Sequence, residues 1–294
     1  MPKTPPSSSP SSNSYSASSS AHQTTPNNVA CDRNFDKLVH KFESKVYDTL
    51  KGEWRLKLLK EDLQRFVSDL PNIPNLPGLV KAPLTVWDAG CGFAQMSQWL
   101  AQSGHHITAC DVSHQMLMRA QENFKQANLS ATFLEGAAQA LAPTLPQFDL
   151  VLFHAVLEWL GEPKATLNTV ANQVKPGGHL SLLFYNRNSV VIRNTLKGAW
   201  RLQSLLTDDY MGKGKKLTPP NPQTPEEVCQ WLADWGFEIK VHTGIRIFHD
   251  YMTPEALAQT DLDELFALEY RYCRAPTFRN MARYVHVLAQ RKAD

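Results

Sequence analysis

Asp88-Ala-Gly-Cys-Gly92 is a glycine-bearing turn set between a short β-forming run, Leu84 to Trp87, and a helical pattern that reaches Gln102. Few folds accommodate that order. Strand, tight turn and helix together open a doubly wound α/β sheet, where a ligand rests against backbone N–H groups after the first strand. The alternation continues downstream. His106 to Asp111 reads as a second strand, Gln115 to Gln126 as a helix and Thr132 to Glu135 as a third strand. Phe148 to His154 is continuously apolar except at Asp149, which suits a fourth strand buried on both faces. Pro163 to Val174 predicts a helix closed by Lys-Pro-Gly-Gly, and His179 to Tyr185 a fifth strand. Pro225 to Trp235 predicts a helix, and Phe237 to Val241 and Tyr284 to Ala289 the last two strands. The expected fold is therefore α/β with a mostly parallel seven-stranded sheet.

Outside that alternation the texture differs. Residues 1–30 are rich in Ser, Pro, Asn and Thr, with Lys3 their only charge, and are expected to form a disordered tail. They carry neither an apolar core for a secretory signal nor arginines for a mitochondrial one. Phe35, Leu38, Val39, Phe42 and Val46 recur at helical spacing, and a second helix is expected over about Gly52 to Asp69. Pro71 to Pro83 reads as a linker. Residues 31–294 are expected to form a single domain, with residues 187–223 and 253–272 as cap insertions.

Composition narrows the class. Hydrophobic residues make up 43% of the 294, enough for a sizeable core, and the net charge of +2 calls for a local basic patch if the partner is nucleic acid. The five cysteines include no CxxC pair, which favours a reducing, cytoplasmic setting and offers no metal site. No apolar run approaches the roughly 18 residues a membrane span needs.

Gly90 and Gly92 allow a tight turn and a close approach to a cofactor, and Asp88 is placed to meet a cationic group. Asp111, at the tip of the second strand, can accept both hydroxyls of an adenosine ribose. Gln95 stands where a dinucleotide site would carry its third glycine, so no pyrophosphate cradle is expected. D-A-G-C-G resembles the motif of Rossmann-like class I methyltransferases, which implies S-adenosylmethionine as cofactor. Gly136 to Gln139 and Phe153 to Trp159 then follow strands three and four, where such enzymes contact adenine and border the transfer cleft.

Further blocks extend the resemblance. Asp32 to Asp36, Lys51-Gly52 with Arg55, Phe153 to Trp159, Leu183 to Asn186, Thr243 to Tyr251, Leu268 to Arg274 and Arg283 to His286 together resemble the bacterial tRNA 5-carboxymethoxyuridine methyltransferases. That resemblance implies transfer of a methyl group to the carboxylate of the wobble nucleoside, giving its methyl ester. It implies cofactor contacts from Arg55, Gly90, Cys91, Asp111, Ala138, Gln139 and His154. Cys91 is a departure, standing where some members carry glycine.

A carboxylate nucleophile is already ionised at neutral pH, so no general base is required. Tyr185, Asn186, Arg187 and Arg246 are candidates to orient it. Arg246 is equally readable as the partner of Asp250 or Glu269. Arg193, Lys197, Arg201, Lys213, Lys215 and Lys216, interleaved with Trp200 and Tyr210, are candidate RNA contacts, as are Arg271, Arg274, Arg279 and Arg283. Three alternatives stand beside this reading. They are a methyltransferase of a quinone or lipid precursor, a non-catalytic module that binds S-adenosylmethionine, and a nicotinamide-dependent oxidoreductase.

Overall fold

A computed structural model describes residues 32, 36, 49–67, 83–207 and 219–293. The expected tail, the helix over residues 35–46, most of the linker, and Lys213, Lys215 and Lys216 lie outside the described residues. A seven-stranded sheet runs β1 (Thr85–Ala89), β2 (His106–Asp111), β3 (Thr132–Glu135), β4 (Phe148–His154), β5 (Val174–Tyr185), β6 (Phe237–Ile245) and β7 (Tyr284–Arg291) along the chain. In space the order is β3-β2-β1-β4-β5-β7-β6. All pairings are parallel except those of β7, which runs antiparallel to β5 and β6. The strand order reverses between β1 and β4, the switch point where open α/β sheets bind ligands.

Alternation along each strand sends neighbouring side chains to opposite faces. On one face Val86, Leu150, Leu152, Leu183 and Leu288 pack with helices α1 (Leu50–Phe66), α2 (Gln95–Gln102) and α3 (His114–Gln126). On the other, Trp87, Val151, Phe153, Leu182, Phe184 and Val287 pack with α5 (Pro163–Ala171) and α8 (Pro225–Asp234). The short helix α4 (Ala138–Leu141) follows β3. Residues 187–207 form α6 (Arg187–Thr195), a 3₁₀ turn and α7 (Leu202–Leu206). After β6 come α9 (Pro254–Ala258), α10 (Leu262–Tyr272) and α11 (Pro276–Arg279).

Two boundaries differ from expectation. Val174 closes no helix; it is fully buried and opens β5 opposite Phe148. The pairing then jumps from Phe148↔Val174 to Leu150↔His179, so Lys-Pro-Gly-Gly is a bulge within β5, held by Lys175 Nζ on Asp149 at 2.8 Å. β6 likewise runs to Ile245 instead of Val241, because a bulge between Ile239 and Val241 keeps its end in register with Tyr284.

Candidate active site

A cavity of about 350 Å³ opens at the carboxyl ends of β1, β2, β4 and β5. Its floor is the D-A-G-C-G turn. Gly90 has φ +89°, and its N–H donates to Cys110 O at 2.8 Å. The Gly92 N–H donates to Asp111 Oδ2 at 2.9 Å, and the Ser113 N–H to Oδ1, also at 2.9 Å. Asp111 therefore stands fixed at the wall with acceptor capacity left on both oxygens. Burial pushes its carboxyl above the ordinary range, against those backbone donors.

Of the expected cofactor contacts, Arg55, Gly90, Asp111, Ala138, Gln139 and His154 line this cavity. Gln139 Nε2 donates to Asp32 Oδ2 at 2.5 Å, and Asp32 also accepts from the Gly161 N–H at 3.0 Å. Cys91 and Asp88 line a smaller adjoining cavity that shares Arg55, Gly90 and His154. Asp88 meets Ser97, whose hydroxyl donates to it at 2.6 Å, and burial pushes its carboxyl up to about 7. Burial also raises the Cys91 thiol, which stays protonated and small.

The far end of the cavity is basic. Lys51, Arg193, Arg246 and Arg283 line it together with a single carboxylate among them, Asp250. Arg246 Nε lies 3.3 Å and Arg283 Nε 3.9 Å from Asp250 Oδ2. Burial would raise Asp250, but His249, Arg246, Lys51 and Arg193 hold it below the usual carboxylate range. Arg283 also stacks on Tyr185, its guanidinium 4.5 Å from the ring centre. Its Nε and Nη1 are buried with no hydrogen-bond acceptor among the described residues. Such orphaned charged donors are costly unless something supplies an acceptor. Beside them Glu158 is 1% exposed, and burial pushes its carboxyl up to about 8, so it is neutral at pH 7.

Several expected residues are placed elsewhere. Asn186 is wholly buried and cannot reach a substrate, because its amide donates to Asn280 O and Ala282 O at 2.8 Å while its Oδ1 caps α6. Arg187 does not line the cavity; its N–H is bonded to Gln223 O at 2.9 Å. Arg274 is engaged by buried Asp62, with Nη2 2.5 Å and Nε 3.1 Å from Oδ1. Glu269 is no partner of Arg246, since it accepts the N–H groups of Ile247, Phe248 and His249. Arg193 and Arg283, expected on an outer basic surface, face inward. Lys197 and Arg271 are exposed, and Arg201 is half-buried against Trp200. Glu158 lies in the block expected to border the cleft, and Asp250 is the Arg246 partner that the sequence offered, but neither was singled out as a site residue. A lone carboxylate carries no sequence signal that it will be buried in a cavity.

Residues 87–182 match the sequence profile described as a methyltransferase domain. Over 269 residues the chain is 37% identical to a tRNA 5-carboxymethoxyuridine methyltransferase of Escherichia coli (strain K12), covering 88% of this chain and 97% of that protein. The chain belongs to the tRNA 5-carboxymethoxyuridine methyltransferase family. A more distant relative, a ubiquinone biosynthesis O-methyltransferase of Stutzerimonas stutzeri (strain A1501), is 30% identical over 164 residues, 54% of this chain and 67% of that one. Among solved structures, magnesium protoporphyrin IX methyltransferase from Synechocystis PCC 6803 with bound SAH superposes with TM-score 0.54 at 18% identity, over 88% of this chain and 96% of that one. That likeness confirms the fold alone.

As a member of this methyltransferase family, the protein is an enzyme that uses S-adenosylmethionine. The cavity suits that cofactor. A Cβ on Gly90 would lie 2.4 Å from Val156 Cγ2, so only glycine leaves this corner open. Asp111 offers a carboxylate for ribose hydroxyls, and Arg55 a cation for the cofactor's carboxylate. No phosphate-binding feature is needed, and the nicotinamide alternative falls with the family assignment.

Proposed function

We propose that this enzyme methylates the carboxylate of 5-carboxymethoxyuridine at the wobble position of tRNA, giving the methyl ester. The observation that carries the reading is Arg283, whose buried Nε and Nη1 have no acceptor among the described residues at the basic end of the cavity. Among the described residues there, Lys51, Arg193, Arg246 and Arg283 face Asp250, while burial raises the Glu158 carboxyl to about 8, so the pocket favours an anionic substrate over a quinone or lipid precursor. A guanidinium presents its donors in a planar fork that matches a carboxylate.

S-adenosylmethionine, when bound, supplies a methyl group on a sulfonium. Gly90, Asp111, Gln139 and Arg55 would hold and orient it from the sheet side. Arg283 and Arg246 align the substrate carboxylate from the opposite side, and Tyr185 closes the pocket behind Arg283. The carboxylate oxygen held by Arg283 and Arg246 would take that methyl group, with the sulfur keeping the electron pair of the broken bond. The attacking oxygen carries no proton, so no side chain acts as a base. The enzyme contributes alignment and exclusion of water.

The chain from residue 31 onward acts as one domain in this reading, and segments 187–223 and 253–272 cap the cavity. The exposed cap residues Lys197 and Trp200, with Arg201 and Arg271, meet tRNA phosphates and unpaired bases in the cytoplasm. Methyl transfer from labelled S-adenosylmethionine to tRNA carrying 5-carboxymethoxyuridine, followed by nucleoside mass spectrometry, tests the proposal. Appearance of the methyl ester supports it. Cofactor binding without transfer to that tRNA would overturn it.

A further inference from the structure

A buried polar chain runs from the cavity across one face of the sheet to α1. His154 Nε2 lies 2.8 Å from Ser181 Oγ, Ser181 Oγ lies 2.9 Å from His286 Nε2, and His286 Nδ1 lies 2.8 Å from Asp62 Oδ2. Asp62 ends the chain on Arg274. His154, Ser181 and His286 come from β4, β5 and β7, and Asp62 from the helix packed over them. Ser181, His286 and Asp62 are each 0% exposed. The reaction as derived uses none of these three groups.

The chain has a direction. Asp62 is ionised, because His286 and Arg274 outweigh the burial that would raise its carboxyl. An ionised carboxylate only accepts, so His286 donates from Nδ1. With a single ring proton, on Nδ1, His286 has a lone pair on Nε2 that accepts from the Ser181 hydroxyl. Ser181 Oγ is then an acceptor, and His154 must donate to it from Nε2. The remaining nitrogen of His154, Nδ1, is left unprotonated. Burial first, then the neighbouring His286 and Arg55, hold His154 well below its ordinary pKa, so the ring stays neutral.

We propose that Asp62, His286 and Ser181 are positioning residues that lock the His154 tautomer, so that its Nδ1 accepts a hydrogen bond from the α-ammonium of S-adenosylmethionine. This rests on the reading that the methionine end of the cofactor lies between Arg55 and His154, which line both the main and the adjoining cavity. Arg55 answers the carboxylate there, and an ammonium needs a neutral acceptor beside it. The wrong tautomer would aim an N–H at a cation. Fixing a ring nitrogen through a hydrogen bond on the opposite nitrogen is the same device that orients histidine ligands elsewhere.

The test compares S-adenosylhomocysteine with 5′-methylthioadenosine, which lacks the amino-acid end, by calorimetry on the full chain. In Ser181→Ala, S-adenosylhomocysteine binding should weaken about tenfold, within the cost of unpairing one buried group, while methylthioadenosine binding stays level. An equal loss for both ligands, or no loss for either, overturns the lock. Imidazole ¹⁵N NMR gives a second readout. His154 in the wild type should show a protonated Nε2 and a bare Nδ1. Asp62→Asn should shift it toward Nδ1–H by turning each bond of the chain around. A wild-type His154 protonated on Nδ1 refutes the assignment. If the wild type binds methylthioadenosine but gains nothing from the amino-acid end, the placement of that end fails and the proposal with it.

Discussion

Gly90 and Val156 approach so closely that a Cβ on the glycine would sit 2.4 Å from Val156 Cγ2. Gly90 also holds φ +89°, a conformation that costs an L side chain about 1–2 kcal/mol. The turn after β1 and the loop after β4 are thus fitted to each other across the switch point. Gly90→Ala should lower the melting temperature by several degrees and weaken S-adenosylhomocysteine binding more than tenfold. Calorimetry and thermal unfolding on the same sample check both. Retained affinity would mean the turn does not border the cofactor.

Arg283 should separate substrate from cofactor. It faces the cavity with two buried donors that have no acceptor among the described residues, at the basic end of the cavity. Arg283→Gln should cut kcat/KM for tRNA by about 10–100-fold, the worth of charged hydrogen bonds to a carboxylate. S-adenosylhomocysteine affinity should hold. Arg283→Lys restores the charge but not the planar fork, so it should recover only part of the loss. Steady-state kinetics with modified tRNA decide it.

These two residues also show what could be read from the sequence. Gly90 announced itself, because a strand, a glycine turn and a helix in succession mark a cofactor-binding turn. The strands of the sheet centre were legible in the same way, since the apolar run Phe148–His154 suits a strand buried on both faces. Arg283 was visible as a charge, but its direction was not. It opens the approach to β7, and only the antiparallel pairing of β7 with β5 turns it toward Tyr185. Arg274 was misread as a nucleic-acid contact because its partner, Asp62, lies 212 positions away in the chain. Asn186 sits next to a pocket residue, yet it lies past the end of β5 as the N-cap of α6, with its amide donating to Asn280 O and Ala282 O. Long-range pairing of charges leaves no local signature.

The outer face of α6 and α7 should govern tRNA affinity without affecting chemistry on the nucleoside. Lys197 is exposed, and Trp200, 68% exposed, carries Arg201 with its guanidinium 3.8 Å from the ring centre. Replacing Lys197 and Arg201 together by Ala should weaken tRNA binding. It should also flatten the plot of log affinity against log salt by about 0.7 for each phosphate that is no longer neutralised. Methylation of a free 5-carboxymethoxyuridine nucleoside, however slow, should not change. A salt slope equal to that of the wild type would exclude this face from the RNA path.

Asp88 makes a prediction about stability and pH. Burial holds its carboxyl at about 7 in the folded protein, while an unfolded chain releases that proton near the ordinary value of 3.8. Between those values the folded state binds more protons than the unfolded one, so this group's contribution to stability falls as pH rises toward 7 and is level above it. Asp88→Asn removes the titration and keeps an acceptor for the Ser97 hydroxyl. The melting temperature of the variant relative to the wild type should therefore climb from pH 5 to pH 8 and then stop climbing. Contributions from Asp62, Asp149 and Asp250, which are held low, cancel in that difference. A difference that stays flat across the range would mean that Asp88 is ionised in the fold, and that it meets a cation in the smaller cavity after all.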